Sequence, residues 1–525
     1  MKTKKRGLFI VILVLMLAMV GCSSGTSEST SKKDEGDSSQ QTGGEIRVAY
    51  NAQPSTLDPH MNNSTATKYV ANHIFETLVT FNSKYEPVPM LAESVEKSED
   101  GKTYTFHLRK GVTFHNGKEM TAEDVVASMN RWTQKFLASE SLLGKGATFE
   151  QIDKYTVVLK LQEPYRLALT ALATAAQFPA IMPKEIIESA GNLGVTEIIG
   201  TGPFKFVDWK KDQYIHITKY EDYKPLNTPA DGWSGKKEAL VKDIYFDIVT
   251  DAQTRVAGIQ TGQYDVALSL PNDSYEQIKA DQNLKAVGDF YGSLYVYFNR
   301  KQGLFTDIKM RQAVNAALDA KEILLASFSN KDLYKLSHQY MIQEKWAAEA
   351  GKEEYNQRDL EKVKGLLQEA GYNGQEIRLI TTKDYSYFYN EGVVIAEQLK
   401  KAGLNVKLDV NDYPTLAEKR NDPTKWEISV AAIVKRATPL ELEILQPATF
   451  GSVENPQLAE MLGAVNTASS DEEMKRKWDE AQGYIWEYLP GVKFGDYSGF
   501  DATTNKLKGI VNFEGINLWN TTVSK

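Results

Sequence analysis

Glu376-Ile377-Arg378-Leu379-Ile380-Thr381-Thr382, then Glu391 to Ala402, then Leu404-Asn405-Val406-Lys407-Leu408-Asp409-Val410 read as strand, helix and strand, with Gly403 ending the helix. Two strands joined by one helix form a βαβ unit, so they lie parallel with a right-handed crossover. Trp426 to Val434 is a near-continuous apolar run and reads as a further buried strand. In open parallel sheets, ligands sit beyond the carboxyl ends of the strands. Here those ends lead into Lys383-Asp384-Tyr385-Ser386-Tyr387-Phe388-Tyr389 and Lys435-Arg436-Ala437-Thr438-Pro439. Both read as loops rich in groups that can hold a ligand. Tyr385 and Tyr387 are candidate walls of a cleft; the other reading packs them under the following helix.

Outward from this unit the same alternation continues, the pattern of an α/β protein. Glu45 to Tyr50 is a short strand before the turn-rich Asn51 to Pro59, and Lys102 to Leu108 alternates as a strand does. Thr121-Ala122-Glu123-Asp124 opens a helix, with Thr121 as N-cap and acids in the first turn; Val125, Val126, Met129 and Trp132 follow at helical spacing. Trp132 reads as core. Thr306-Asp307 opens a second helix, and Leu360, Val363 and Leu367 mark a third, closed by Gly371.

With 525 residues, the chain has room for about three compact units. Its 42% hydrophobic and 25% charged residues are an ordinary globular balance, which excludes a disordered or disulfide-stapled chain. The net charge of −8 becomes more acidic still once the first 21 residues, with four bases and no acid, are set aside. So acidic a body has no basic face for phosphates, and nucleic acid is not expected as a partner.

Cys22 is the only cysteine, so neither a disulfide framework nor a cysteine zinc site can form. It follows Lys2, Lys4, Lys5 and Arg6, an apolar run from Leu8 to Val20 too short to span a bilayer, and Met19-Val20-Gly21. This resembles a bacterial lipoprotein signal, in which the cysteine is lipidated and becomes the mature N-terminus. Residues 1–21 are therefore expected to be a signal peptide. Residues 22–44 are polar, without aliphatic or aromatic side chains after Cys22, and are expected to be a flexible tether. Together they describe a body held at the extracytoplasmic face of a cell membrane.

Catalytic signatures are mostly absent: there is no HExxH, no Walker phosphate loop and no GxGxxG. Gly21-Cys22-Ser23-Ser24-Gly25 matches a nucleophile elbow only formally, with no strand before it. His60, His73, His107, His115, His216 and His338 are scattered, without metal-ligand spacing. No cofactor or metal is expected.

Several segments, in order, resemble the extracytoplasmic solute-binding proteins of oligopeptide, dipeptide and nickel ABC importers, known as family 5. They are Pro54-Ser55-Thr56-Leu57-Asp58-Pro59, Leu91-Ala92-Glu93-Ser94, Asp100 to Arg109, Gly111 to Val125, Gly200-Thr201-Gly202-Pro203-Phe204, Tyr297-Phe298-Asn299 and Arg311-Gln312-Ala313-Val314. The resemblance implies a two-lobed periplasmic-binding-protein-like fold of type II with an extra subdomain. Lobe 1 is then expected from 45–60, 198–270 and 480–525, its extra subdomain from 61–197, and lobe 2 from 271–479. It also implies capture of a small-molecule or peptide ligand between the lobes and delivery to an ABC permease, by a monomer that is not an enzyme. Asn62 and Thr67 match family positions that face the ligand. One departure stands out. Where the peptide binders place an acid for the peptide's α-amino group, this chain has Lys435 followed by Arg436. Cations there would attract an anionic group; the other reading pairs both with Glu441 or Glu443. A signalling receptor of the same fold, or a surface-anchored hydrolase, are the alternative functions.

Overall fold

The computed structural model describes residues 43–136, 138–192 and 194–524. The expected signal peptide, Cys22 and almost all of the tether lie outside the described residues. The described chain enters through β1 (Glu45–Tyr50) and reaches α1 (Thr65–Ile74), capped by the Ser64 hydroxyl on the Ala66 N–H, and then α2 (Ala122–Lys135). An antiparallel pair, β2 (Phe204–Lys210) and β3 (Tyr214–Lys219), leads to β4 (Asp243–Ile248), β5 (Val266–Leu270) and the long β6 (Leu284–Phe298). The unit read first from the sequence follows: β7 (Ile377–Thr382), α3 (Ser386–Lys401) and β8 (Val406–Asn411). Then come α4 (Tyr413–Asn421), β9 (Ile428–Val434) and a second long strand, β10 (Gly491–Thr504).

These strands form one sheet in the order β8-β7-β9-β6-β10-β5-β1-β4-β3-β2, with Tyr334–Leu336 also pairing β10. β7 and β8 are parallel, in register from Ile377 opposite Val406 to Thr382 opposite Asn411, as the βαβ reading requires, and β9 is parallel to β7. At the other end β1 runs parallel to β4 and β5. The two long strands join the halves. Leu284 to Phe290 of β6 pairs only with β10, whereas Gly292 to Phe298 also pairs with β9. β10 pairs with β5 only near its carboxyl end, at Phe500, Ala502 and Thr503. The ladder slips between Phe290 and Gly292, and such bulges bend and twist a strand pair.

A separate four-stranded antiparallel sheet, in the order Ala92–Lys97, Thr103–Leu108, Thr156–Lys160, Thr148–Asp153, carries α2. The Asp124 carboxylate accepts the Thr121 N–H at 2.9 Å, the helix start expected from the sequence. Asn130 fixes the helix to the edge strand by accepting the Phe149 N–H and donating to the Phe149 carbonyl. Trp132 is wholly buried, stacks on Phe136 and donates its indole N–H to the Gln177 carbonyl at 2.7 Å. Trp132→Phe is expected to lower stability by about 1–3 kcal/mol, because the Gln177 carbonyl loses its partner in a place water does not reach. Urea unfolding checks this: the midpoint should fall with an unchanged slope.

One sequence expectation needs correction. The segment Lys383 to Tyr389 is not all loop: α3 begins at Ser386, so Tyr387, Phe388 and Tyr389 lie in its first turn. The helix starts without a side-chain cap, since Tyr385 occupies the N-cap position. Its first turn is held instead by burial of Phe388 and by the Thr381 hydroxyl donating to the Phe388 carbonyl at 2.7 Å. Nothing in the local sequence announces a start of that kind.

Candidate functional site

The carboxyl ends of β7, β8 and β9 lead to Lys383, Asp412 and Lys435; those of β1 and β5 lead to Asn51 and Pro271. A continuous set of contacts joins the two groups of ends. The Lys435 N–H donates to the Tyr291 carbonyl on β6. The Tyr291 ring meets Tyr497 edge-on at 5.0 Å, and Tyr497 stacks on Tyr387 at 6.0 Å. The hydroxyl end of the Tyr291 ring also comes up against Gly499, where a Cβ would lie 2.8 Å from the ring, so only glycine leaves that space. Two residues on, an Asp501 carboxylate oxygen accepts the Ser269 N–H of β5 at 2.8 Å.

Tyr291 is 42% exposed, yet burial pushes its phenol up to about 12, with the Asp501 charge adding to the effect. Tyr291 therefore keeps solvent contact while its ring packs against Tyr497 and Gly499. Asp501 has the same character: it keeps some exposure, and burial raises its carboxyl to about 7 against the opposing Ser269 N–H and Arg255 charge. Tyr69 of α1 and Tyr50 of β1, 6.0 Å apart edge to face, both have phenols raised by burial and by Asp501. The surface groove of about 910 Å³ among Val88, Pro89, Arg109, Pro225 and Pro229 belongs to other loops and holds none of these groups.

The residues singled out from the sequence are placed as follows. Tyr387 is half-buried between Phe328 and Tyr497. Tyr385 is 43% exposed and packs edge-on against Tyr413 at 5.2 Å. Lys435 donates to an Asp289 carboxylate oxygen at 2.7 Å, lies 3.7 Å from Glu514 and sits over the Tyr85 ring. Glu514 also accepts from Lys68 and from the Tyr85 hydroxyl; burial would raise it, but Lys68, Lys435 and Tyr85 together hold it at about 2. Arg436 is ion-paired with Glu443. Asn62 accepts the Ser64 N–H, and the buried Thr67 donates its hydroxyl to the Thr56 carbonyl at 2.7 Å, so both serve the segment leading into α1. The structure thus gathers Tyr385, Tyr387 and Lys435 around Tyr291, Tyr413 and Tyr497, and gives Lys435 and Arg436 carboxylate partners.

Sequence reading missed Asp501, Tyr291, Glu514 and Arg420. Arg420 sits over the Phe450 ring at 4.7 Å and donates to the Ser429 hydroxyl at 2.9 Å, both neutral partners. Asp501 did leave a signal, a lone acid in the otherwise uncharged run Tyr497 to Thr504 near the end of β10.

The family model for bacterial extracellular solute-binding proteins, family 5 (middle), matches residues 86–445. The chain belongs to that family. A probable peptide ABC transporter periplasmic-binding protein of Sinorhizobium fredii is 29% identical over 494 residues, which covers 89% of this chain and 91% of the relative. The oligopeptide-binding protein AppA of Bacillus subtilis is 29% identical over 465 residues, covering 81% and 80%. Among solved structures, the periplasmic binding protein AgaA of A. tumefaciens R10 in complex with agropinic acid has a TM-score of 0.76 at 24% identity, over 92% of this chain and 99% of that one. That likeness shows the fold, the two-lobed type II architecture. The family member's work is extracytoplasmic: it captures a solute for an ABC importer. Among the described residues no helix is long and apolar enough to cross a membrane.

Proposed function

We propose that this chain is a lipid-anchored, monomeric receptor that closes its two lobes on one solute and hands it, chemically unchanged, to the permease of an ABC importer. Cys22 is the lipidation site and residues 23–44 the tether. The observation that carries the reading is the meeting of the two groups of strand ends at β6 and β10, where Tyr291, Tyr387 and Tyr497 pack against one another. The pairing pattern supports a change of lobe within those strands, at Phe290–Gly292 and near Tyr497, with the hinge at the ladder slip. Contacts between the extra subdomain and the far half support a closed state. The Arg166 guanidinium pairs with Asp471, the Arg166 N–H donates to the Asn466 carbonyl at 2.7 Å, and the Thr174 hydroxyl donates to Glu441 at 3.1 Å.

Such contacts exist only when closed, so a ligand that touches both halves shifts the equilibrium toward closure. The relatives' ligands differ, a peptide class in two and agropinic acid in a third, which fits a shared scaffold with specificity set by loops. Native mass spectrometry of the gently purified chain tests the reading. One small molecule per chain is expected, released intact on denaturation, and its re-addition should reduce the radius of gyration in small-angle scattering. Conversion of that molecule, or binding without compaction, would overturn it.

A further inference from the structure

This inference deepens the receptor reading and rests on it. We propose that the captured solute places an uncharged hydroxyl or carboxamide group in the small cavity between Tyr295 and Tyr340, at the carboxyl end of β9.

The cavity measures about 10 Å³, room for one group the size of a water molecule. Ser293 and Tyr295 of β6, Tyr340, Val434 at the end of β9, and Lys435 and Arg436 just beyond it are among the residues that line it. Val434 is 40% exposed, so the cavity lies at the edge of the molecule and at the end of a strand, where ligands sit in such sheets. Tyr295 and Tyr340 are wholly buried, with their rings 5.9 Å apart, and neither hydroxyl has a hydrogen-bond partner among the described residues. Both rings are fixed in place. Tyr295 is held in β6 between Ala431 of β9 and Lys493 of β10. The Tyr340 N–H donates to the Gln482 side-chain oxygen at 2.9 Å, and its ring meets Trp486 edge-on at 5.5 Å. Neither phenol can swing out to water.

A phenol hydroxyl both donates and accepts, and burying one without a partner forfeits a hydrogen bond. Two such hydroxyls at one cavity call for a guest that accepts from one and donates to the other. The charged groups around the cavity are already matched. The Ser293 hydroxyl is spent on Asp496 at 2.7 Å, Lys435 holds Asp289 and Arg436 holds Glu443. A charged guest group would enter without a counter-ion, at a large desolvation cost. A hydroxyl or a carboxamide meets both demands and carries no charge, whereas an ammonium only donates and a carboxylate only accepts.

Calorimetric titrations of the full chain test this, with maltotriose as the hydroxyl probe, N-acetyl-Ala-Ala-Ala-amide as the carboxamide probe, and succinate and tetramethylammonium as probes with charge alone. One of the two neutral probes is expected to bind, and which one does so tells a hydroxyl from a carboxamide. Tyr295→Phe and Tyr340→Phe should each weaken that probe about tenfold. The thermal midpoint of the ligand-free variants should stay at or above that of the parent, because each loses a hydroxyl that bonds to nothing in the protein. The probe ranking on the unaltered chain stands even where a variant fails to fold. The proposal is overturned if a charged probe binds more tightly than both neutral ones, if neither neutral probe binds, or if the variants bind as tightly as the parent. Unchanged binding with a midpoint lowered by several degrees would assign the cavity to a structural water instead. A compound without hydroxyl or carboxamide found one-to-one in the native mass spectrum would overturn the proposal and leave the receptor reading in place.

Discussion

Asp58→Ala is expected to destabilise the protein by about 3–5 kcal/mol, the usual consequence of leaving one half of a buried ion pair alone. Asp58 belongs to the Pro54 to Pro59 segment and is fully buried. Its two carboxylate oxygens accept from the Arg131 guanidinium at 3.2 and 2.6 Å, and they also take the His60 and Val195 N–H groups at 3.0 and 2.9 Å. One side chain therefore ties the segment after β1 to α2 and to the chain near Val195. Burial would raise the Asp58 carboxyl, but the Arg131 hydrogen bonds, the His60 and Arg131 charges and the Val195 N–H outweigh it and hold it below the ordinary value. A depressed folded value gives stability that is fully present above the unfolded value, about 3.9. It is lost as pH falls through the folded value. Chemical denaturation of Asp58→Ala at pH 7 should show the full loss, and the difference from the parent should shrink below about pH 4. A loss under about 1 kcal/mol at pH 7 would mean that Arg131 finds water or another acid, and that the bidentate pair does not hold the segment.

That result bears on how far the sequence is legible. The βαβ unit could be read because its periods and its Gly403 stop are local, and the parallel pairing follows from chain connectivity alone. The role of Asp58 could not be read, because its partners lie 73 and 137 residues away. The crossing strands escaped for a related reason. Nothing in Leu284 to Phe298 marks where pairing with β9 begins, since that depends on a strand more than a hundred residues later. The early start of α3 is held by Thr381 and Phe388, a contact that no cap residue announces.

The site divides in the same way. Tyr385 and Tyr387 were visible because they follow a strand's carboxyl end, a position that favours ligand contact on topology alone. Lys435 and Arg436 were visible as cations, but a sequence does not show which carboxylates a fold brings to them. Arg436 found Glu443, seven residues on, whereas Lys435 found Asp289 and Glu514 from distant segments. Asp501 went unread because the group it holds, the Ser269 N–H, lies 232 residues away in the chain.

Lys435→Met is expected to raise the open-to-closed ratio of the ligand-free protein about tenfold, near 1.5 kcal/mol. Lys435 follows β9, while Tyr85, Asp289 and Glu514 belong to the turn after Phe81, the first half of β6 and the chain after β10. Opening of the two lobes, as proposed above, would separate the ammonium from all three. The Asp289 pair is half-exposed and screened by solvent, so it contributes little; Glu514 and the Tyr85 ring, both sheltered, contribute most. Methionine keeps the stem and deletes the charge, which separates the latch from simple packing. Small-angle scattering without ligand should show a larger radius of gyration for the variant, and a thermal midpoint within a few degrees of the parent. The latch should also ignore pH over most of its range. Glu514 is held at about 2 by Lys68, Lys435 and Tyr85, so it stays charged, and its contribution to the latch fades only as pH drops toward 2. Identical scattering from parent and variant at pH 7 would assign closure to the subdomain contacts at Arg166 and Thr174 and leave Lys435 as a local ion pair.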